Sequence, residues 1–157
     1  HIDIKLAPTA GSIWRYAGLD PSCKWEKGKR RPWNARLKVL CWKIGESFIK
    51  FQNHPESFYG KYYQERLAIE KERNAAGLFK EQAEECAKRV KKTTVAYKHY
   101  SQGELPPAHI ISRARRWVTK LFLAHVHEML YEIHIGKPPA PYVLEHMGHT
   151  HKIECPF

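Results

Sequence analysis

The sequence predicts a mostly α protein: a compact helical domain of about five or six helices, with a projecting helical segment and a basic loop. Three observations carry this. Apolar residues recur at the helical period in several long stretches. Helix starts and stops are marked by Thr9, Gly18, Asn34 and the Pro106-Pro107 pair. A hydrophobic fraction of 43% with 19 aromatic residues is enough for a core in 157 residues, so the chain reads as one folded domain, 1–157.

Taken in order, the first residues read as extended. Thr9 then caps a short helix through Trp14 to Ala17 that stops at Gly18, with Ile13, Trp14 and Ala17 facing inward. Asp20 to Trp33 is crowded with turn formers and charge and reads as an exposed loop. Asn34 caps a helix from Ala35 to about Phe51, ended by Asn53-His54-Pro55. Its apolar positions are Leu37, Leu40, Cys41, Ile44 and Phe48. Residues 55–104 form a charged helical segment with Tyr59, Tyr63, Leu67, Leu78, Phe79, Ala83, Cys86 and Val90 as a discontinuous stripe. Gly77 marks either a break into two antiparallel helices or a weak point in one. Thr94 to Tyr100 adds a short helix. From Ala108 to about Ile135 runs the clearest helix, with Ile110, Ala114, Trp117, Leu121, His125 and Met129 on one face and Val118, Phe122 and Ile133 beside them. The remaining tail is rich in Pro and His and reads as irregular. The expected core joins the first helix, the Asn34 helix and the Ala108 helix.

Charge narrows the function. The formal net charge is +11, which points to a polyanionic partner: DNA, RNA or an anionic membrane. No apolar stretch is long enough to span a bilayer, and no signal peptide is visible. The cysteines, Cys23, Cys41, Cys86 and Cys155, form no CxxC pair, which suits reduced thiols and a cytoplasmic location. Between Tyr16 and Lys43 stand eight Lys or Arg against Asp20 and Glu26, together with Trp25, Trp33 and Trp42. Cations interleaved with tryptophan on a loop suit sequence-tolerant contact with a phosphate backbone, with Trp25 or Trp33 stacking on an unpaired base. The candidate contacts are Lys24, Trp25, Lys27, Lys29, Arg30, Arg31 and Arg36. For Trp33 and Trp42 the competing reading is core packing, which is the expectation for Trp42.

Several long blocks carry a family resemblance. HIDIKLAPTAGSIWRYAGLDPSCKWEKGKRRPWNARLKVLCWKIGESF, FYGKYYQERLAIEKERNAAG, LPPAHIISRARRWVTKLFLAHVHEMLYEIHIGKPP and PYVLEHMGHTHKI follow one another along nearly the whole chain. In that order they resemble the C-terminal domain of bacterial DEDD insertion-sequence transposases of the IS-one-ten, IS-one-sixteen and IS-nine-oh-two type. The resemblance implies a fragment of a transposase or recombinase that mobilises an insertion sequence. The parent would contact DNA and a structured guide RNA, as a homo-oligomer. Magnesium would be held in a RuvC-like domain outside this chain, so no cofactor is expected here, and the fragment alone is expected to cut nothing. Many members have a longer loop holding a pair of serines near a Gly-Gly-Lys; here the loop is shorter and offers only Ser22 as a candidate for the family's strand-exchange serine.

Ser22 also has a plainer reading, as the last residue of an Asp-Pro-Ser turn, and no base for it is identifiable in the sequence. Arg113, Arg115, Arg116 and Lys120 form a second basic group, either phosphate contacts or the wet face of an amphipathic helix. His146, His149, His151 and Cys155 lie close together, but their spacing matches no standard zinc site, so no metal is expected. His125, on the apolar face, reads as a hydrogen-bonded core histidine. The rival functions are a non-catalytic nucleic-acid-binding module and a metal-stabilised interaction domain.

Overall fold

The computed structural model describes residues 3–136 and 153–156. Among them there is no strand; six α-helices follow one 3-10 turn. The helices are α1 (Ala10–Tyr16), α2 (Ala35–Lys50), α3 (Phe58–Ala75), α4 (Lys80–Ala87), α5 (Val95–Tyr100) and α6 (Pro107–Ile135). The all-α expectation holds. The chain divides into two compact units, His1–Ser47 with Thr119–Phe157, and Phe48–Val118.

In the first unit, the opening residues differ from the extended segment expected. The Asp3 carboxylate accepts from the Lys5 amide at 3.1 Å, and the Ala7 amide closes on the Ile4 carbonyl, making a 3-10 turn over Ile4–Leu6. This turn buries Ile4 and Ala7. Thr9 caps α1 as expected, its hydroxyl accepting from the Ser12 amide. Gly18, at φ +68°, ends α1 in a left-handed conformation, and Leu19 donates back to the Trp14 carbonyl. The core gathers Ile4, Ala7, Ile13, Ala17, Cys41 and Leu123, with Trp14, Leu37 and Phe122 packed against it. That is the expected meeting of α1, α2 and α6.

Two buried histidines of α6 sit in this unit. His127 donates through Nε2 to the Ala7 carbonyl at 2.7 Å, and His125 donates through Nε2 to the Ile153 carbonyl at 3.0 Å. His125 is the core histidine expected; His127 and Leu123 were not assigned to the core from sequence. Burial lowers the His127 pKa, against the opposing pull of the Ala7 carbonyl. The ring is therefore a neutral tether between α6 and the opening turn. Burial also pushes the Cys41 thiol up to about 11, which leaves it an unreactive core group.

The second unit resolves the question at Gly77. Its φ of +73° separates α3 from α4, and the Leu78 amide donates to the Arg73 carbonyl. Phe79, Ala83, Tyr100, Leu105 and Ile110 make the core, with Leu67, Cys86 and Val90 against it. Leu78, expected in the stripe, is 64% exposed. The side chain of Asn74 clamps residue 105 from both sides, its Nδ2 donating to the Leu105 carbonyl at 3.1 Å and its Oδ1 accepting from the Leu105 amide at 2.9 Å. Thr94 caps α5 through the Tyr97 amide, and Pro107 opens α6, where a missing amide costs nothing.

Glu70 is 1% exposed, yet charged. Arg113 Nε donates to one carboxylate oxygen at 2.7 Å, and Arg66 pairs with the other. Both guanidinium groups also lie over rings, Arg66 on Trp117 and Arg113 on Phe79. Burial would raise the Glu70 pKa, but the hydrogen bond and charge of Arg113, with Arg66, outweigh it and hold the carboxyl below its ordinary value.

Two predictions follow from these buried groups. Glu70→Gln should destabilise the second unit by about 3 kcal/mol, because it leaves two guanidinium groups short of their counter-charge. A depressed carboxyl stabilises above its unfolded pKa and loses that contribution as pH falls through the folded value. The wild-type protein should therefore weaken below about pH 4, and the variant should lack that component. Urea unfolding followed by circular dichroism across pH reads both. For His127 the unfolded imidazole takes up a proton below about pH 6.5 while the buried ring resists it. Stability should thus fall as pH drops through that value, and His127→Phe should flatten the slope.

Candidate nucleic-acid interface

The basic loop lies in the first unit, and its two ends are tied together. The Asn34 amide donates to the Tyr16 carbonyl at 2.9 Å, and Asn34 Nδ2 donates to the Tyr16 hydroxyl at 2.9 Å. The remaining side-chain atom, Oδ1, accepts from the Leu37 amide at 3.0 Å and caps α2. One residue thus starts α2 and fastens it to the last residue of α1. Trp33, next to it, packs on Gly18: a Cβ there would come within 2.8 Å of the indole. Any side chain at Gly18 would displace the ring as well as strain the backbone.

Above this base the cations are in solvent. Lys24, Lys27, Lys29, Arg30, Arg31 and Arg36 are all exposed. Lys29 pairs with Glu26 at 2.7 Å, with both side chains 73% exposed, so the pair is weak. Among the described residues no carboxylate pairs with the other five. Trp25 is 41% exposed and donates through Nε1 to the Lys29 carbonyl at 2.7 Å, which fixes its ring on the loop. Arg31 lies 5.6 Å over that ring, and Trp33 meets it edge-on at 6.5 Å. Lys38 sits 4.1 Å over Trp33. Tyr16, Arg30, Arg31, Pro32, Trp33 and Asn34 line an open cleft of about 470 Å³. Tyr16 and Lys38 were not among the sequence candidates. Tyr16 is 18 residues from its partner Asn34, and nothing local signals that contact.

Trp42 was expected in the core and is 53% exposed; Leu40 is 51% exposed. The inward arc of α2 is taken by Leu37, Cys41, Ile44 and Gly45, and neighbours one residue from Cys41 point about 100° away.

Ser22 is exposed and engaged in a turn. Its backbone amide donates to Asp20 Oδ1 at 2.9 Å, and its hydroxyl donates to the same oxygen at 2.8 Å. The hydrogen bonds from Ser22 hold the Asp20 carboxyl below its ordinary pKa, with Lys120 and Arg15 adding to the effect. A carboxylate is thus beside the hydroxyl, but one made a weaker base by that contact. The geometry is that of a turn.

The members of the second basic group have different surroundings. Arg113 turns inward to Glu70, donates through Nη1 to Gln82 at 2.9 Å and covers Phe79. Arg115 and Arg116 belong to the second unit, and Arg116 is exposed. Lys120 belongs to the first unit, 5.2 Å over the Trp14 ring, while its carbonyl accepts from Trp14 Nε1.

Among the described residues no cluster of three His, Cys, Asp or Glu is placed to hold a metal. His146, His149 and His151 lie outside the described residues. No described helix is long and apolar enough to cross a membrane.

No protein-family model, no curated protein and no solved structure matches this chain. That corrects the labels drawn from the resemblance: transposase, insertion sequence, DNA transposition, DNA recombination, DNA binding and RNA binding gain no support from any of the three comparisons. Of those descriptors, all-α is the one consistent with the fold.

Proposed function

We propose that the first unit is a non-catalytic nucleic-acid-binding module whose loop, residues 20–36, grips backbone phosphates. The observation that carries this is the state of the loop cations. Lys24, Lys27, Arg30, Arg31 and Arg36 stand exposed without a carboxylate partner among the described residues, on a loop closed at its base by Asn34. Exposed charges held in place lose less freedom on meeting a polyanion than charges on a loose loop would. The net charge of +11 adds long-range attraction of the same sign. Trp25, pinned by its indole N–H, offers a flat surface in the same place. The turn geometry at Ser22 favours binding over nucleophilic chemistry in this reading.

Salt dependence tests the proposal directly. With five phosphate contacts the logarithm of the binding constant should fall against log salt with a slope of about −4, or about 250-fold between 50 and 200 mM. Fluorescence anisotropy of a labelled oligonucleotide gives that slope, and a flat response would overturn the reading. Arg30→Gln and Arg31→Gln should each reduce the slope by about 1. Asn34→Ala removes no charge, but it removes the cap and the side-chain hydrogen bond to the Tyr16 hydroxyl. It should cost about 1 kcal/mol of stability and weaken binding while the slope is kept.

A further inference from the structure

We infer that the cleft beside Tyr16 is a seat for one unpaired nucleobase, so that the partner of the basic loop is a single-stranded nucleic acid and not an uninterrupted duplex. The inference rests on the phosphate-binding reading above and names the class of strand that the same site takes.

The shape of the cleft comes first. Tyr16 is 43% exposed, and its ring is held at the hydroxyl by Asn34 Nδ2. A rigid aromatic face open to solvent is a stacking platform with little freedom left to lose. Trp33 is less available, since Gly18 packs on its ring and Lys38 lies over it. It serves with Pro32 as the wall of the cleft. The cleft is open and takes a planar group from the side.

Charge decides between planar ligands. Arg30 and Arg31 line the same cleft and are exposed. A neutral aromatic would leave the charge of two guanidinium groups unmatched, whereas a nucleotide brings a base for Tyr16 and a phosphate for the arginines. The bases of an intact duplex are stacked on one another and present no free face, so its phosphates reach the cations while the cleft stays unfilled. Stacking is tolerant of base identity, which fits a cleft whose amide side chain, Asn34, already spends its Nδ2 on Tyr16 and its Oδ1 on Leu37 and whose other polar side chains are the arginines for the phosphate.

The test uses the full chain and four probes in anisotropy: an oligothymidylate of about 12 nucleotides, within the range of single-strand site sizes, an abasic oligomer of equal length, a duplex of that length, and inorganic polyphosphate as competitor. The oligothymidylate should bind about tenfold tighter than the abasic oligomer and tighter than the duplex. Tyr16→Ala should bring the oligothymidylate down to the level of the abasic oligomer, while Tyr16→Phe, which keeps the ring, should retain most of the difference. Circular dichroism of both variants separates loss of the seat from loss of the fold. Equal, salt-dependent binding of oligothymidylate and abasic oligomer would overturn the base seat and leave phosphate binding standing, as would a duplex that binds as tightly as the single strand. Failure of abasic oligomer and polyphosphate to bind at low salt would instead overturn the underlying phosphate reading.

Discussion

The link between Asn34 and Tyr16 is the constraint on which the candidate site depends. Residues 17–33 form a 17-residue excursion between the end of α1 and the start of α2. The length-dependent part of closing such a loop is about 2.5 kcal/mol. The two hydrogen bonds from Asn34 to Tyr16, at about 1 kcal/mol each, offset most of it. The balance is close, so the packing of Trp33 on Gly18 supplies the margin. A loop held this way presents its charges from a fixed base without needing a core of its own.

Each unit also spends a polar group in its interior, and the two do so differently. In the first, neutral His127 reaches from α6 to the Ala7 carbonyl and satisfies a main-chain acceptor where the opening turn leaves off. In the second, Glu70 stays ionised because two arginines surround it. A neutral imidazole costs little to bury once its N–H has an acceptor; a buried carboxylate needs both of its oxygens answered. That is why Arg113 turns inward.

Local chemistry was legible in the sequence and distant pairing was not. Thr9 and Asn34 cap helices through their own backbone neighbours, so a few residues suffice to recognise them. The break at Gly77 is local too, although sequence alone left two outcomes because a helical interior tolerates an isolated glycine. Helical periodicity shows that an apolar face exists but fixes its centre only loosely. Leu40, Trp42, Leu78 and Ile133 fell outside the buried arc, and Leu123 and His127 fell inside it. Of the candidate site, the loop cations and their exposure could be read from composition and turn signals. The Tyr16 contact and the cleft it lines could not, because they arise only when chain segments 18 residues apart meet.

The fate of the arginines explains why the candidate site is the loop and not the larger charged region. Residues 57–90 hold seven Lys or Arg against six acids, while residues 20–36 hold six against two. Part of that charge is already matched: Arg66, joined by Arg113, meets buried Glu70, and Lys88 and Arg89 meet exposed Glu85. A cation already paired must give up its carboxylate before it can take a phosphate, so its contribution to binding is the small difference between two similar contacts. The five loop cations exchange only water and mobile ions. Releasing those ions is what drives association with a polyanion. The loop's low acid content therefore matters more to the site than the number of its basic residues.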